Sequence, residues 1–271
     1  MKTILLDVGG TFIKRADGRQ TPIPSDGSEA AIAAALVQAI GPLEKVSGIG
    51  VAIPGPFDYR QGIFLMQHKF AAVYGKRFRT LAGIPDSIPL RFHHDVNALL
   101  LGAIKMLSLE QENTALVTLG TGLGFSYALH GAVQYSPSGS PARSLWNLPM
   151  PEGGILEDCV SGRGICAAYA RKTGTVPDNA YAVAQKAFSG DQAALEVYSD
   201  VGMHLGEALH EAMRDLGIGT VLVGGQIAKS ISLMQTSMQP CLEGIRIQQA
   251  PYGAVFEGLA TLFEKKKPNK A

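Results

Sequence analysis

Asp7-Val8-Gly9-Gly10-Thr11 follows an apolar run from Thr3 to Leu6, and a related stretch, Thr118-Leu119-Gly120-Thr121-Gly122-Leu123-Gly124, follows Ala115 to Val117. Another apolar stretch succeeds each, so each reads as strand, tight turn, strand. Laid over one another, Asp7 falls on Thr118 and Gly9 on Gly120. Glycine tolerates positive φ and lets a ligand approach the main chain. Successive N–H groups of such a turn converge on an anion, and a threonine hydroxyl adds a donor. Either turn alone reads equally well as a ligand-free hairpin. Two of them, each opening half of the chain, point to a duplicated fold that grips phosphate. Asp7 cannot bind phosphate directly, but a carboxylate at the end of a buried strand can hold a divalent cation that does.

Working outward, strand and helix signals alternate. Phe12–Ala16 continues the first turn, and the prolines of Thr21–Pro24 confine that segment to a sheet edge. Ser28 is placed to cap a helix over Glu29–Ile40, which Gly41-Pro42 ends. Val46–Ile53 reads as a strand closed by Pro54-Gly55-Pro56. A short strand, Leu90–His93, precedes Asp95 and a helix from Val96 to about Leu107. The second half repeats this grammar: strands at Thr114–Leu119 and Phe125–Leu129, then an irregular span over 135–158. Helices follow at Gly162–Lys172, Ala180–Phe188 and Gln192–Leu216. Thr220–Val223 is a buried strand ending in Gly224-Gly225, and Ala254–Lys265 supplies a last helix. This order predicts α/β layers with right-handed crossovers.

Composition bounds the function. The 271 residues are 46% hydrophobic and 17% charged, with net charge +1, enough for a packed core and without the basic footprint of a nucleic-acid binder. The basic run Lys265-Lys266-Lys267, with Lys270, reads as a solvated tail. No apolar run is long enough to span a bilayer, and the chain opens on a strand rather than a leader. Three cysteines without C-x-x-C spacing disfavour a disulfide framework and a four-cysteine zinc site. A cytoplasmic protein without nucleic-acid or membrane partners is expected.

Asp95 is the strongest candidate for chemistry. In His93-His94-Asp95-Val96-Asn97 it stands between a strand and a helix N-terminus, where open α/β sheets place ligands. It reads either as a general base for phosphoryl transfer to an alcohol or as an N-cap. His93 and His94 point to opposite faces of a strand and cannot readily chelate one ion; His94, beside Asp95, is the one placed to touch substrate. Gly224-Gly225 at a strand end reads as an ordinary turn or as a platform for a flat ring such as adenine.

Taken in order, Asp7–Thr11, Pro54-Gly55-Pro56, Asp95-Val96-Asn97, Leu119–Gly124, Val223-Gly224-Gly225 and the Gly253-Ala254 helix resemble the actin-like ATPase superfamily. Within it the chain is similar to the ROK family of sugar kinases and regulators. The resemblance implies a two-lobed, ribonuclease H-like α/β fold of duplicated βββαβαβα-type domains with a cleft between them. The small lobe is expected over 1–112 and 252–271, the large lobe over 113–251. It implies ATP and Mg²⁺ as ligands, a sugar hydroxyl as acceptor and Asp95 as the base. Asp7 would hold Mg²⁺; Gly9, Gly10 and Thr11 would form the first phosphate loop, and Gly120, Thr121 and Gly122 the second. Gly224 and Gly225 would border adenosine. Acceptor contacts fall to His94, Asn97, Glu157, His68 and Lys69. Family regulators carry a DNA-binding segment before the first loop; only six residues precede Asp7 here, which argues against a repressor. Members often form dimers, so a homodimer is one expectation.

The chain also departs from the family. Its usual Ala-Gly-Glu-x-Gly-His is Ala142-Arg143-Ser144-Leu145-Trp146-Asn147, so Ser144 replaces a sugar-contacting Glu and Asn147 a zinc-ligating His. Pro149–Ile155 replaces the cysteine-rich zinc loop, before Leu156-Glu157 returns to the pattern. No zinc is expected. Losing the Glu contact would cost on the order of 1–3 kcal/mol of sugar binding, which His94, Gln67, His68 or Lys69 would partly offset. Since the changes gather on the acceptor side, the expected activity is an ATP-dependent hexose kinase of glucokinase type, acting on the 6-hydroxyl. A nucleotide- or sugar-binding sensor with little kinase activity, or a kinase for another acceptor, is the alternative.

Overall fold

The computed structural model describes residues 2–151 and 153–264. The lysines of the expected tail, Lys265, Lys266, Lys267 and Lys270, lie outside them. The chain forms two compact units. One holds the described residues up to Leu107, Tyr135–Pro141 and those from Tyr252 on; the other holds Ser108–Gln134 and Ala142–Pro251.

In the first unit, β1 (Lys2–Val8), β2 (Phe12–Arg15) and β3 (Gln20–Pro22) form an antiparallel meander, with proline-bearing β3 at the edge as its composition requires. Helix α1 (Glu29–Ile40) begins where Ser28 Oγ accepts the Ala31 N–H at 3.3 Å. Its last carbonyls, Ala39 O and Ile40 O, accept from the buried guanidinium of Arg15 at 3.2 and 2.6 Å. Strand β4 (Val46–Ile53) runs parallel to β1, and a hairpin of β5 (Phe57–Asp58) and β6 (Ile63–Phe64) follows it. The short α2 (Phe78–Leu81) leads into β7 (Leu90–His94) and α3 (Asp95–Leu107). The sheet order is β3-β2-β1-β4-β7.

The second unit repeats that order. Strands β8 (Thr114–Leu119), β9 (Leu123–Leu129) and β10 (Ala132–Val133) form the meander; β11 (Thr220–Gly224) and β12 (Arg246–Gln249) complete the sheet β10-β9-β8-β11-β12. Before β11 come α4 (Leu156–Val160), α5 (Gly162–Thr173), α6 (Ala180–Phe188) and α7 (Gln192–Met213), and α8 (Ile231–Met238) precedes β12. The duplication foreseen in the glycine turns is therefore present strand for strand.

The final helix belongs to the other unit. α9 (Ala254–Ala260), shorter than the sequence suggested and followed by a 3-10 turn at Thr261–Phe263, packs on α3, β1 and β4. The crossing is close because it is built on glycines. A Cβ on Gly102 would meet Ala254 O at 1.7 Å, and one on Gly258 would meet Ala98 O at 1.9 Å. Tyr135–Pro141, which the expected boundaries put in the large lobe, packs with the first unit. There the Tyr135 ring stacks on His93 at 6.0 Å. Phe125 and Tyr127 are core, whereas Trp146 is 47% exposed. No helix among the described residues is long and apolar enough to cross a membrane.

Candidate active site

In the first unit the parallel strands end together. Asp7 pairs in register with Ala52, which pairs with His93, and Ile53 pairs with His94. The first glycine turn, the Pro54-Gly55-Pro56 corner (with a cis Gly55–Pro56 bond) and Asp95 thus share one sheet edge. Strand alternation separates the histidines as expected: His93 faces Tyr135, and His94 faces Asp95.

Asp95 opens α3 with a third of its side chain exposed (35%). His94 Nδ1 lies 2.8 Å from Asp95 Oδ1, and the Val96 N–H donates to the same oxygen at 2.8 Å. Val96 N is also 3.3 Å from His94 Nδ1. The two shorter contacts fit a protonated Nδ1 donating to the carboxylate. Burial pushes the Asp95 carboxyl up, but the His94 charge and hydrogen bond, the Val96 N–H and the Lys69 ammonium outweigh it and hold it below the ordinary value. Asp95 is therefore ionised at neutral pH, as a proton acceptor must be. Asp95 is itself the first residue of α3 and accepts the N–H of the residue after it, not the N2 or N3 amide an N-cap would take.

Asp7 behaves in the opposite way. Burial, and then the charge of Asp95, push its carboxyl up to about 6, with Lys14 opposing at 4.0 Å. Mg²⁺ at phosphate sites takes one or two carboxylates and completes its shell with water and phosphate oxygens. A buried carboxylate beside a glycine turn fits that need. Among the described residues no cluster of three or more His, Cys, Asp or Glu side chains is set to hold a metal.

The turn itself is held by Gly9 N–H donating to Phe12 O at 3.0 Å. The N–H groups of Gly10 and Thr11 have no backbone acceptor among the described residues, and Thr11 is exposed. Lys69, expected on the acceptor side, lies along this turn: a Cβ on Gly10 would stand 3.4 Å from its Cδ, Cε and Nζ. His68 is exposed. Asn97 is fully buried and its Nδ2 donates to Gly139 O at 3.3 Å, so it sits behind the site and ties down the 135–141 excursion.

Sequence reasoning missed Tyr59. Its hydroxyl donates to Ile53 O at 3.2 Å, and its ring lies 5.9 Å from His94. Burial raises its pKa. Gly55 permits this, since a Cβ there would stand 3.4 Å from the Tyr59 hydroxyl and 3.6 Å from the His94 ring. Phe57, Phe64, Phe78 and Phe92 pack edge-on or stacked behind, with centroids 5.0–6.1 Å apart. Such pairs add about 0.5–1.5 kcal/mol each beyond burial and stiffen the support of His94. A local signal existed in Phe57-Asp58-Tyr59, but nothing local showed what the tyrosine meets.

In the second unit Gly120 N–H donates to Gly122 O at 3.0 Å, and Thr121 is exposed at the tip. Glu157, expected at the sugar, touches this turn. Its Oε2 accepts the Leu123 N–H at 2.9 Å, Oε1 accepts from Arg163 at 3.3 Å, and its side chain is 21% exposed. Gly224 is buried and pairs with Thr118, whereas Gly225 is exposed at φ +83°. A Cβ on Gly225 would fall 2.2 Å from Leu119 O, so that glycine is needed for packing against β8 whatever lies above it. Ser144 Oγ donates to Asn147 Oδ1 at 3.3 Å, occupying two positions where the family pattern has Glu and His.

Two matched sheets with glycine turns at equivalent strand ends define an α/β fold of the actin-like ATPase type. The sequence profile of the ROK family matches residues 1–260, and the chain belongs to that family. Solved structures agree on the fold. A ROK hexokinase from Thermus thermophilus has a TM-score of 0.75 at 23% identity, covering 96% of this chain and 97% of its own. A ROK family glucokinase from Streptomyces griseus, solved with glucose and AMPPNP, has a TM-score of 0.79 at 19% identity over 96% and 98%. A ROK family transcriptional regulator, homologous to the Escherichia coli MLC protein, has a TM-score of 0.72 at 18% identity over 96% and 80%. No curated protein matches the chain in sequence.

Proposed function

We propose that this protein is an ATP-dependent sugar kinase that transfers the γ-phosphoryl group to a hexose hydroxyl, the 6-hydroxyl of glucose or a close relative being the default acceptor. The observation that carries the reading is Asp95: an ionised carboxylate at a strand end, oriented by His94 and Val96, on the same sheet edge as a turn with free N–H donors. In this reading Asp95 takes the proton of the acceptor hydroxyl as its oxygen attacks phosphorus in line. His94 fixes the carboxylate, and the Tyr59 ring packs beside His94. Gly9, Gly10 and Thr11, and separately Gly120, Thr121 and Gly122, donate to phosphate oxygens; Gly224 and Gly225 border adenosine. Asp7 would hold Mg²⁺, which neutralises phosphate charge when bound. Glu157 serves its turn through Leu123 and reaches the sugar only with its remaining lone pairs.

The test is a panel of sugars with ATP and Mg²⁺, read by ADP release. At least one sugar should turn over, and Asp95→Ala should cut kcat by about 10²–10⁴-fold without loss of the folded state. The substitutions at Ser144 and Asn147 favour a second reading, a sensor that binds without turnover. That reading wins if no sugar raises ADP release above background while sugar or nucleotide still raises the melting temperature.

A further inference from the structure

Lys69 stands in the loop between β6 and a 3-10 turn at Ala71–Val73, and the chain is pinned directly after it. Phe70 is fully buried and left-handed at φ +56°, a conformation an aromatic residue adopts only where its surroundings enforce it. Its N–H donates to Ser25 O at 2.7 Å and its ring meets Phe64 at 5.5 Å. Lys69 thus starts from a fixed point, and its half-buried stem runs along Gly10 with Nζ over the turn. Lys14, Lys76, Lys105 and Lys172 each have a carboxylate within 4.0 Å. Among the described residues Lys69 has none that close, although Asp95 feels its charge.

An ammonium on a half-buried lysine with no carboxylate within 4.0 Å among the described residues, over a turn whose Gly10 and Thr11 N–H groups have no acceptor among them, is a site for an anion. The same cation acts on the carboxylate assigned as the base. We propose that Lys69 is a catalytic residue: its ammonium holds the transferring phosphoryl group of ATP at the Gly9–Thr11 turn, facing Asp95. This rests on the kinase reading and moves Lys69 from the sugar to the phosphate. In the step, the acceptor oxygen forms a bond to γ-phosphorus and its proton goes to Asp95. The bond from γ-phosphorus to the bridging oxygen breaks, and that electron pair stays on the β-phosphate of ADP. Lys69 gives and takes no proton; it balances the charge spread over the equatorial oxygens, where a preorganised cation is most effective.

The experiment compares binding of AMPPNP and ADP, each with Mg²⁺, by calorimetry for the wild type, Lys69→Met and Lys69→Arg. Circular dichroism confirms each fold. Wild type should prefer AMPPNP. Lys69→Met should lose about tenfold in AMPPNP affinity while ADP affinity stays within about twofold, because only the γ-phosphoryl contact is removed. Lys69→Arg should recover part of the loss. With an accepted sugar, Lys69→Met should lower kcat at least about 100-fold with sugar KM unchanged. Equal losses for both nucleotides, no loss for either, or no wild-type preference would overturn the proposal. So would a rise in sugar KM at constant kcat, which returns Lys69 to the acceptor. If wild type turns over no sugar, the kinase reading fails on its own, and the AMPPNP-to-ADP ratio still decides what Lys69 touches. If Lys69→Met does not fold, Lys69→Arg and Lys69→Gln carry the same ratio test.

Discussion

The two glycine turns occupy equivalent ends of equivalent strands, yet different side chains lie against them. The first has four residues between the pairs Val8–Ile13 and is overlain by the Lys69 ammonium. The second has three residues between Leu119 and Leu123 and is closed by the Glu157 carboxylate, which takes up the Leu123 N–H and engages Arg163. Duplication kept the backbone device, and the side chains around it diverged. A carboxylate beside a turn makes it a poorer host for a second anion, whereas an ammonium makes it a better one.

Substitutions can break or sharpen that contrast. The largest effect on stability is expected at Asp7, whose counterpart in the second unit is the neutral Thr118. Its raised carboxyl favours the protonated form in the folded state, so its stabilising contribution is full below about pH 4 and is lost as pH rises to about 6. Asp7→Asn in metal-free buffer should therefore stabilise the protein at pH 7.5 by on the order of 3 kcal/mol, with the gap closing near pH 4. Denaturant melts at both pH values check this, and an equal effect at both would show that titration is not the cause. Nucleotide with Mg²⁺ should stabilise Asp7→Asn less than wild type.

Next in size is Gly122→Ala. The new Cβ would lie 2.8 Å from Glu157 Oε2, forcing the carboxylate off the Leu123 N–H at about 1–3 kcal/mol. The double variant with Glu157→Ala should cost less than the sum of the singles, and additive losses would show that the contact does not hold the turn. Gly10→Ala should be milder. The atoms nearest its Cβ belong to the flexible Lys69 side chain, at 3.4 Å, so melting should move by less than about 1 kcal/mol while AMPPNP binding weakens. Smallest of all, chelation should leave melting unmoved and metal analysis should find zinc well below one per chain, since Asn147 and Pro149–Ile155 offer none of the family's His and Cys ligands. Stoichiometric zinc would overturn that expectation.

What the sequence disclosed and what it hid divide along local and non-local lines. The paired turns, the Ser28 cap, β4 and the start of α3 at Asp95 all rest on neighbours a few residues apart, and the structure has them. β12 was invisible because Arg246-Ile247-Gln248-Gln249 has one apolar residue and no alternation; it is a strand because β11 offers an edge. Asn97 carries a polar side chain two residues after Asp95, but helix geometry turns it into the core. Glu157 and Lys69 were expected on the acceptor side, yet their neighbours lie across the fold, so sequence order could not say that each meets a glycine turn. Tyr59 went unnoticed for the same reason.

The placement of α9 has a consequence for how the protein is made. Helix α3, which starts at Asp95, is covered by residues close to the C-terminal end, and the Gly102 face is shaped only for that helix. As the chain leaves the ribosome, the second unit has all of its own strands and helices by Pro251, whereas the first, synthesised earliest, still lacks its last piece. Domains generally fold in order of synthesis; here the unit that bears Asp95 is finished last, so a chain cut short before Ala254 carries every residue of the candidate site and lacks the helix that covers α3.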